Sequence, residues 1–317
     1  MTWAQHIPDE MSVCKKCGEK MESRKGLHLH LKKHSISVPE YYEKYYPKFN
    51  KMTGEKMPFV NFVDKYFDTD FDNRAQMIAW CNSQPKEITG PYILSLLEKR
   101  IKEKNYDTAP TSTQLFLDSL PNLDIYAKTF GSYEIACEQI GYKPTFSVRY
   151  EADQWTKDCS KSKIIIDTRE QKPFGFAGSK VMSLKVGDYT LAKGDGAGIT
   201  YVDRKSPEDY KGTMTVGKER FEKEINRAVD FGFYLFVVIE ANLLTIEQEN
   251  INSVHNYNMK YVFHNMKALQ NKYSKNLQFV FAKDRPRAQI LTQKLLTLGK
   301  YAWDKDVQYF VEKGGIK

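Results

Sequence analysis

No stretch of this 317-residue chain approaches the roughly 20 apolar residues that cross a bilayer as a helix. Its first residues also lack the charged, apolar and small-residue succession of an export signal. Cysteine is scarce. Of five, Cys81, Cys137 and Cys159 follow no pairing pattern, which excludes a disulfide scaffold and points to a reducing, cytoplasmic setting. Long low-complexity runs are missing too, so extended disorder is not expected. What the chain does hold is 41% hydrophobic residues, enough for two or three cores, and a net charge of +8. That excess fits a polyanionic partner and implies salt-sensitive binding.

The remaining two cysteines belong to a pattern. Cys14 and Cys17, followed by His30 and His34, make C-x2-C-x12-H-x3-H, the ligand spacing of a two-Cys, two-His zinc finger. Met21 and Leu27 stand where such a finger places its small core, and His28 has the poorer spacing, so it reads as a non-ligand. A unit of ~25 residues buries too little to fold unaided, so Zn²⁺ would supply its folding free energy. Lys15, Lys16, Lys20, Arg24, Lys25, Lys32 and Lys33 favour phosphate contact. The aromatic tail that runs to Pro47 reads as a packing extension.

A second constellation lies further along. Lys163–Asp167 reads as a buried strand ending in a carboxylate, and Val186–Leu191 and Ile199–Asp203 read as two more strands. The glycine-rich run between them, residues 193–198, is a turn, so a hairpin would set Asp188 beside Asp203. Two acidic side chains converging on a hard divalent cation, with Lys205 next to them, is what phosphodiester hydrolysis requires. Tyr234–Ile239 and Leu277–Ala282 are apolar runs of strand length. Helical spacing marks residues 217–229, 255–272 and 286–298, and this alternation indicates an α/β domain.

Ile166-Asp-Thr-Arg-Glu170, Lys185-Val-Gly-Asp-Tyr189, Val202-Asp-Arg-Lys-Ser-Pro-Glu-Asp209 and Phe236-Val-Val-Ile-Glu240 together resemble the XPF-type structure-selective DNA nucleases of the restriction-endonuclease-like superfamily. The resemblance spans about residues 163–298, with Asp203 where the family usually has glutamate. It implies that Asp188 and Asp203 ligate Mg²⁺ or Mn²⁺, that Asp167 completes the acidic cluster, and that Lys205 handles the water and the developing charge. Arg204 and Asp209 lie within the same motif as further catalytic candidates. Arg169 and Arg204 have an equal alternative as structural partners of Glu170 and Asp209. A homodimer through this domain is the family's habit.

Between the two, Pro110, Tyr126, Phe130, Gly131, Ser132, Ala136, Gly141 and Pro144 resemble the homing-endonuclease-associated repeat. The expected fold is therefore an α/β restriction-endonuclease-like nuclease core preceded by a ββα zinc finger and a small helical DNA-binding module. The finger with its extension covers 1–50, 51–90 has no assignment, 91–148 is the repeat, 149–162 a linker and 163–317 the nuclease domain. The expected activity is metal-dependent endonucleolytic hydrolysis of DNA by a homing-type or phage-encoded enzyme, the latter placing it in a bacterial host cell. The alternatives are a flap or junction nuclease and a catalytically inactive DNA-binding regulator.

Overall fold

The computed structural model describes residues 12–314 apart from 61, 150, 157, 160, 161, 195 and 252–254. These form two compact units, the first ending at Pro85 and the second beginning at Lys86. No helix among the described residues is long and apolar enough to cross a membrane.

In the first unit, Val13 and Lys20 form a single antiparallel bridge rather than the expected two-strand hairpin. The chain reverses too sharply for a longer ladder: Gly18 takes φ +77° and its N–H reaches the Cys14 carbonyl at 2.7 Å. Helix Arg24–His30 follows, capped by the Ser23 hydroxyl, and runs into a 3₁₀ turn, Leu31–His34. A capping box of Ser37 and Glu40 starts helix Val38–Tyr45. Leu27, Leu31, Tyr41 and Tyr42 are buried together with Cys14, and Met21 only packs against their edge. Val63 and Tyr66 of helix Val63–Asp68 complete this core, so part of the unassigned stretch packs with the Cys and His segment.

The second unit is built on a six-stranded mixed sheet. Its strands are β1 (Ile164–Asp167), β2 (Lys180–Met182), β3 (Tyr189–Lys193), β4 (Gly196–Lys205), β5 (Tyr234–Ile239) and β6 (Leu277–Phe281), ordered β2-β1-β3-β4-β5-β6. The hairpin β3–β4 is antiparallel, whereas β4–β5 and β5–β6 are parallel. Gly196 and Ala197 pair within β4, so the reversal is tighter than residues 193–198, and Asp195 lies outside the described residues. Strand β3 begins three residues later than Val186 because Gly187 takes φ +61°, which breaks the extended run. Exposed edge strand β2, parallel to β1, has no apolar alternation to announce it.

Period-2 alternation splits the side chains between two cores. Ile165, Tyr201, Leu235, Val237 and Ile239 face helices Pro207–Thr213, Lys218–Asp230 and Met259–Lys272. Ile164, Ile166, Val202, Phe236 and Val238 face helix Arg285–Leu298. The result is a three-layer α/β/α arrangement.

Helices Lys86–Lys104, Ser112–Leu117, Leu123–Phe130 and Tyr133–Gln139 belong to this same unit. Ser112 donates from its N–H (2.7 Å) and its hydroxyl (2.5 Å) to the buried Asp306 carboxylate. Lys267 bonds Asp118 at 2.7 Å, and Gln114 donates to Asn271 at 2.6 Å. The polar stretch 149–162 is pinned by Trp155, buried against Phe310 at 4.7 Å.

Candidate functional site

Asp167, Asp188, Asp203 and Lys205 project from one face of the sheet, the face of Ile165 and Tyr201. Register explains this. Tyr189 pairs with Val202, so the next residues outward, Asp188 and Asp203, are neighbours on the opposite side from those two. A side chain at Gly187 would come within 3.0 Å of the Val202 carbonyl, so the Gly-Asp pair lets the backbone lie against β4 and aim Asp188 at its neighbour.

The acidic groups differ in how they are satisfied. Asp167 is buried and fully engaged: Oδ1 accepts from the Arg169 N–H (2.8 Å) and Nε (2.7 Å), and Oδ2 from the Leu184 N–H (2.6 Å). Burial pushes its carboxyl upward, yet these bonds outweigh it and hold the pKa below the ordinary range. Asp188 accepts the Arg204 N–H at 2.7 Å. Burial first, and the neighbouring Asp203 charge second, drive its pKa well above the usual value. Asp203 is 3% exposed; Oδ1 receives the Lys205 ammonium at 2.8 Å, and Oδ2 is buried without a hydrogen-bond partner. Although burial disfavours its charge, Lys205 stays cationic because Asp203 and Asp188 raise its pKa.

Sequence reasoning passed over Glu224. This half-buried residue of helix Lys218–Asp230 accepts the Gly187 N–H at 2.9 Å, and burial followed by the Asp203 charge lifts its pKa. Its helical position, just before the buried Ile225, was the available signal.

Arg204 points to the other face of β4. Its guanidinium meets Glu170 at 3.2 Å and Glu240 at 3.3 Å, and Arg285 shares Glu240 at 2.6 Å. Arg169 pairs with Asp167 at 2.7 Å rather than with Glu170. Asp209 is exposed in the first turn of helix Pro207–Thr213, where it accepts the Ser206 hydroxyl at 2.6 Å, so it is neither buried nor a partner of either arginine.

The other cluster is already gathered. Ligand atoms of Cys14, Cys17, His30 and His34 all lie within 4.8 Å of one another, the only group of three or more Cys, His, Asp or Glu side chains gathered so closely among the described residues. Cys17 Sγ is 3.2 Å from His30 Nε2 and 3.3 Å from His34 Nε2, and the two Nε2 atoms are 3.0 Å apart. A tetrahedral ion bound at about 2.0–2.3 Å separates its ligand atoms by roughly 3.3–3.8 Å, close to this arrangement. Glu19 lies 3.4 Å from His30 Nδ1, close to the ring nitrogen without hydrogen-bonding it. His28 turns instead to the Tyr42 hydroxyl at 3.2 Å.

No family model and no curated protein matches the chain. Among solved structures it is similar to XPF from Aeropyrum pernix in complex with DNA, at 20% identity and a TM-score of 0.33, over 43% of this chain and 64% of that one. A second structure of XPF from Aeropyrum pernix matches at 18% identity with the same TM-score and coverage. The chain thus spans less than two thirds of the chains it matches.

Proposed function

We propose that the chain is a metal-dependent DNA endonuclease of the homing or phage-encoded type, in which a zinc finger and the helical repeat bring DNA to the sheet. The observation that carries this reading is the buried Asp203 Oδ2, left without a partner beside Asp188 while Lys205 neutralises only the other oxygen. An orphaned, dehydrated carboxylate oxygen is costly, and a hard divalent cation is the partner its chemistry fits.

Asp188 and Asp203 would hold Mg²⁺ or Mn²⁺. When bound, the ion supplies Lewis acidity toward a phosphoryl oxygen and lowers the pKa of an attached water. The chain's own residues do the rest. Asp188, fixed by the Arg204 N–H, is aimed rather than free to rotate. Lys205 is an ammonium, so it donates toward the attacking water or the charge developing on phosphate instead of removing a proton. Asp167 clasps Arg169 and Leu184, which keeps the end of β1 in register with the segment entering β3.

In the amino-terminal unit, Cys14, Cys17, His30 and His34 would hold Zn²⁺ as a closed structural site. A chain charge of +8 agrees with a DNA partner.

The test is cleavage of supercoiled plasmid and of flap and splayed-arm DNA with Mg²⁺, beside Asp203→Asn and an EDTA control. Breaks in plasmid at fixed positions, lost in both controls, support site-directed cleavage. Cutting confined to branched DNA moves the assignment to a structure-selective nuclease, and salt-sensitive binding with no cleavage of any substrate overturns the enzymatic reading.

A further inference from the structure

The carboxylates near the sheet end are not equivalent, and the difference bears on which of them face a cation. Both Asp167 oxygens are consumed by four donors from Arg169 and Leu184. Releasing either would break the clasp between β1 and the segment leading to Asp188. Asp203, by contrast, keeps one buried oxygen unpartnered. Glu224 approaches from the helix packed on the same face, anchored by Phe221 and Ile225 in the core beneath it. Its Oε1 takes the Gly187 N–H at 2.9 Å, and Oε2 has no hydrogen-bond or ion-pair partner among the described residues.

Resting on the nuclease reading above, we propose that Glu224, in place of Asp167, is the third carboxylate of the divalent-cation site with Asp188 and Asp203. The Gly187 hydrogen bond gives this residue a double role. It fixes one glutamate oxygen, so that ordering the other on an ion costs little further rotamer freedom, and it ties the helix to the backbone that immediately precedes Asp188. Asp188, Asp203 and Glu224 as carboxylates and Lys205 as an ammonium sum to a formal charge of −2, which a divalent cation neutralises. Asp167 with Arg169 adds nothing to that sum, because the pair is already neutral.

The experiment is Mn²⁺ titration of full-length, zinc-loaded protein, with free Mn²⁺ read by electron paramagnetic resonance, comparing wild type, Glu224→Gln, Asp203→Asn and Asp167→Asn. Glutamine keeps an acceptor for Gly187 and removes only the charge. Affinity is expected to drop by about tenfold or more in Glu224→Gln and Asp203→Asn, because ligand charge sets affinity for hard cations. Asp167→Asn, scored on protein with wild-type circular dichroism, is expected to stay within about threefold. Wild-type affinity in Glu224→Gln alongside loss in Asp203→Asn overturns the assignment of Glu224 and leaves the nuclease reading standing. Wild-type protein that binds no Mn²⁺ sensitive to Asp203→Asn overturns both. Should Glu224→Gln fail to fold, Glu224→Asp, which retains the charge but draws it back by one methylene, is expected to weaken Mn²⁺ binding, and unchanged affinity there overturns the proposal.

Discussion

Lys205 Nζ stands 2.8 Å from Asp203 Oδ1, and both side chains are largely withdrawn from water. Removing one member of a buried ion pair strands the other, at a cost of about 3–5 kcal/mol. Lys205→Met and Asp203→Asn are each expected to lower stability in that range or somewhat below it. The double variant should lose less than their sum, a coupling that urea denaturation of the four proteins measures directly. In plasmid cleavage each single change should reduce the rate by about 10²–10³-fold, the usual effect of deleting one charge-stabilising group. The double variant should be no faster than either, since it leaves neither member of the pair stranded but lacks both groups the chemistry uses.

Asp306 carries the joint between the helical module and the sheet. Three donors converge on its carboxylate: the N–H and hydroxyl of Ser112, and the Tyr309 N–H. Asp306→Ala should cost about 2–4 kcal/mol, because those donors lose their acceptor in a dry site. The pH dependence has a definite sign. Burial raises the Asp306 pKa by more than its hydrogen bonds lower it, so the folded protein keeps a proton the unfolded chain has already lost. Its contribution to stability therefore falls as pH rises from the ordinary carboxylate range to the raised value, then levels off. Asp306→Asn removes that slope, and subtracting the two stability-versus-pH curves isolates it.

Chelation separates the two units. On the proposed zinc assignment, stripping an ion from Cys14, Cys17, His30 and His34 would remove the main source of folding free energy from a small core whose apolar part is Leu27, Leu31, Tyr41, Tyr42, Val63 and Tyr66. A strong zinc chelator, or Cys17→Ser, is expected to abolish amide protection through residues 12–45, while protection in β5 and β6 stays at the wild-type level. Hydrogen exchange read by mass spectrometry reports both regions in one run, and metal analysis should give one zinc per chain before chelation and none after.

Much of this was legible in the chain itself, and the failures have physical reasons. Tyr234–Ile239 could be read as an inner strand because every side chain is apolar and both faces are covered. Asp188 and Asp203 could be set side by side because a glycine-rich reversal makes β3 and β4 a hairpin, although the bulge that shifts its register by two residues between Thr190 and Ala192 was not legible. The gathering of Cys14, Cys17, His30 and His34 could be read from spacing alone. Strand β2 escaped because an exposed edge needs no apolar pattern. Glu224 escaped because a polar residue at the margin of a helix's buried stripe looks like any solvated one until the partner strand is known. Of the structural partners expected for Arg169 and Arg204, Glu170 does pair with Arg204. Glu240 escaped because it is distant in sequence, and only the parallel pairing of β4 with β5 brings it within reach.

Arg204 tests whether a motif position is chemical or architectural. Its guanidinium forks onto Glu170 and reaches Glu240, all three side chains being at most 10% exposed, on the face of the sheet opposite Asp203. What it gives the site is a main-chain N–H to Asp188 at 2.7 Å, which any residue supplies. Arg204→Met should therefore cost about 3–5 kcal/mol by leaving the buried Glu170 without a cation and Glu240 with Arg285 alone. Arg204→Lys should recover only part of that loss, since an ammonium cannot form the planar fork. Cleavage per folded molecule, with the folded fraction taken from circular dichroism at the assay temperature, should remain within about tenfold of wild type for both. A loss as deep as that of Asp203→Asn in fully folded Arg204→Lys would instead place the guanidinium in the chemistry, which its present position behind the sheet does not allow without rotation of β4.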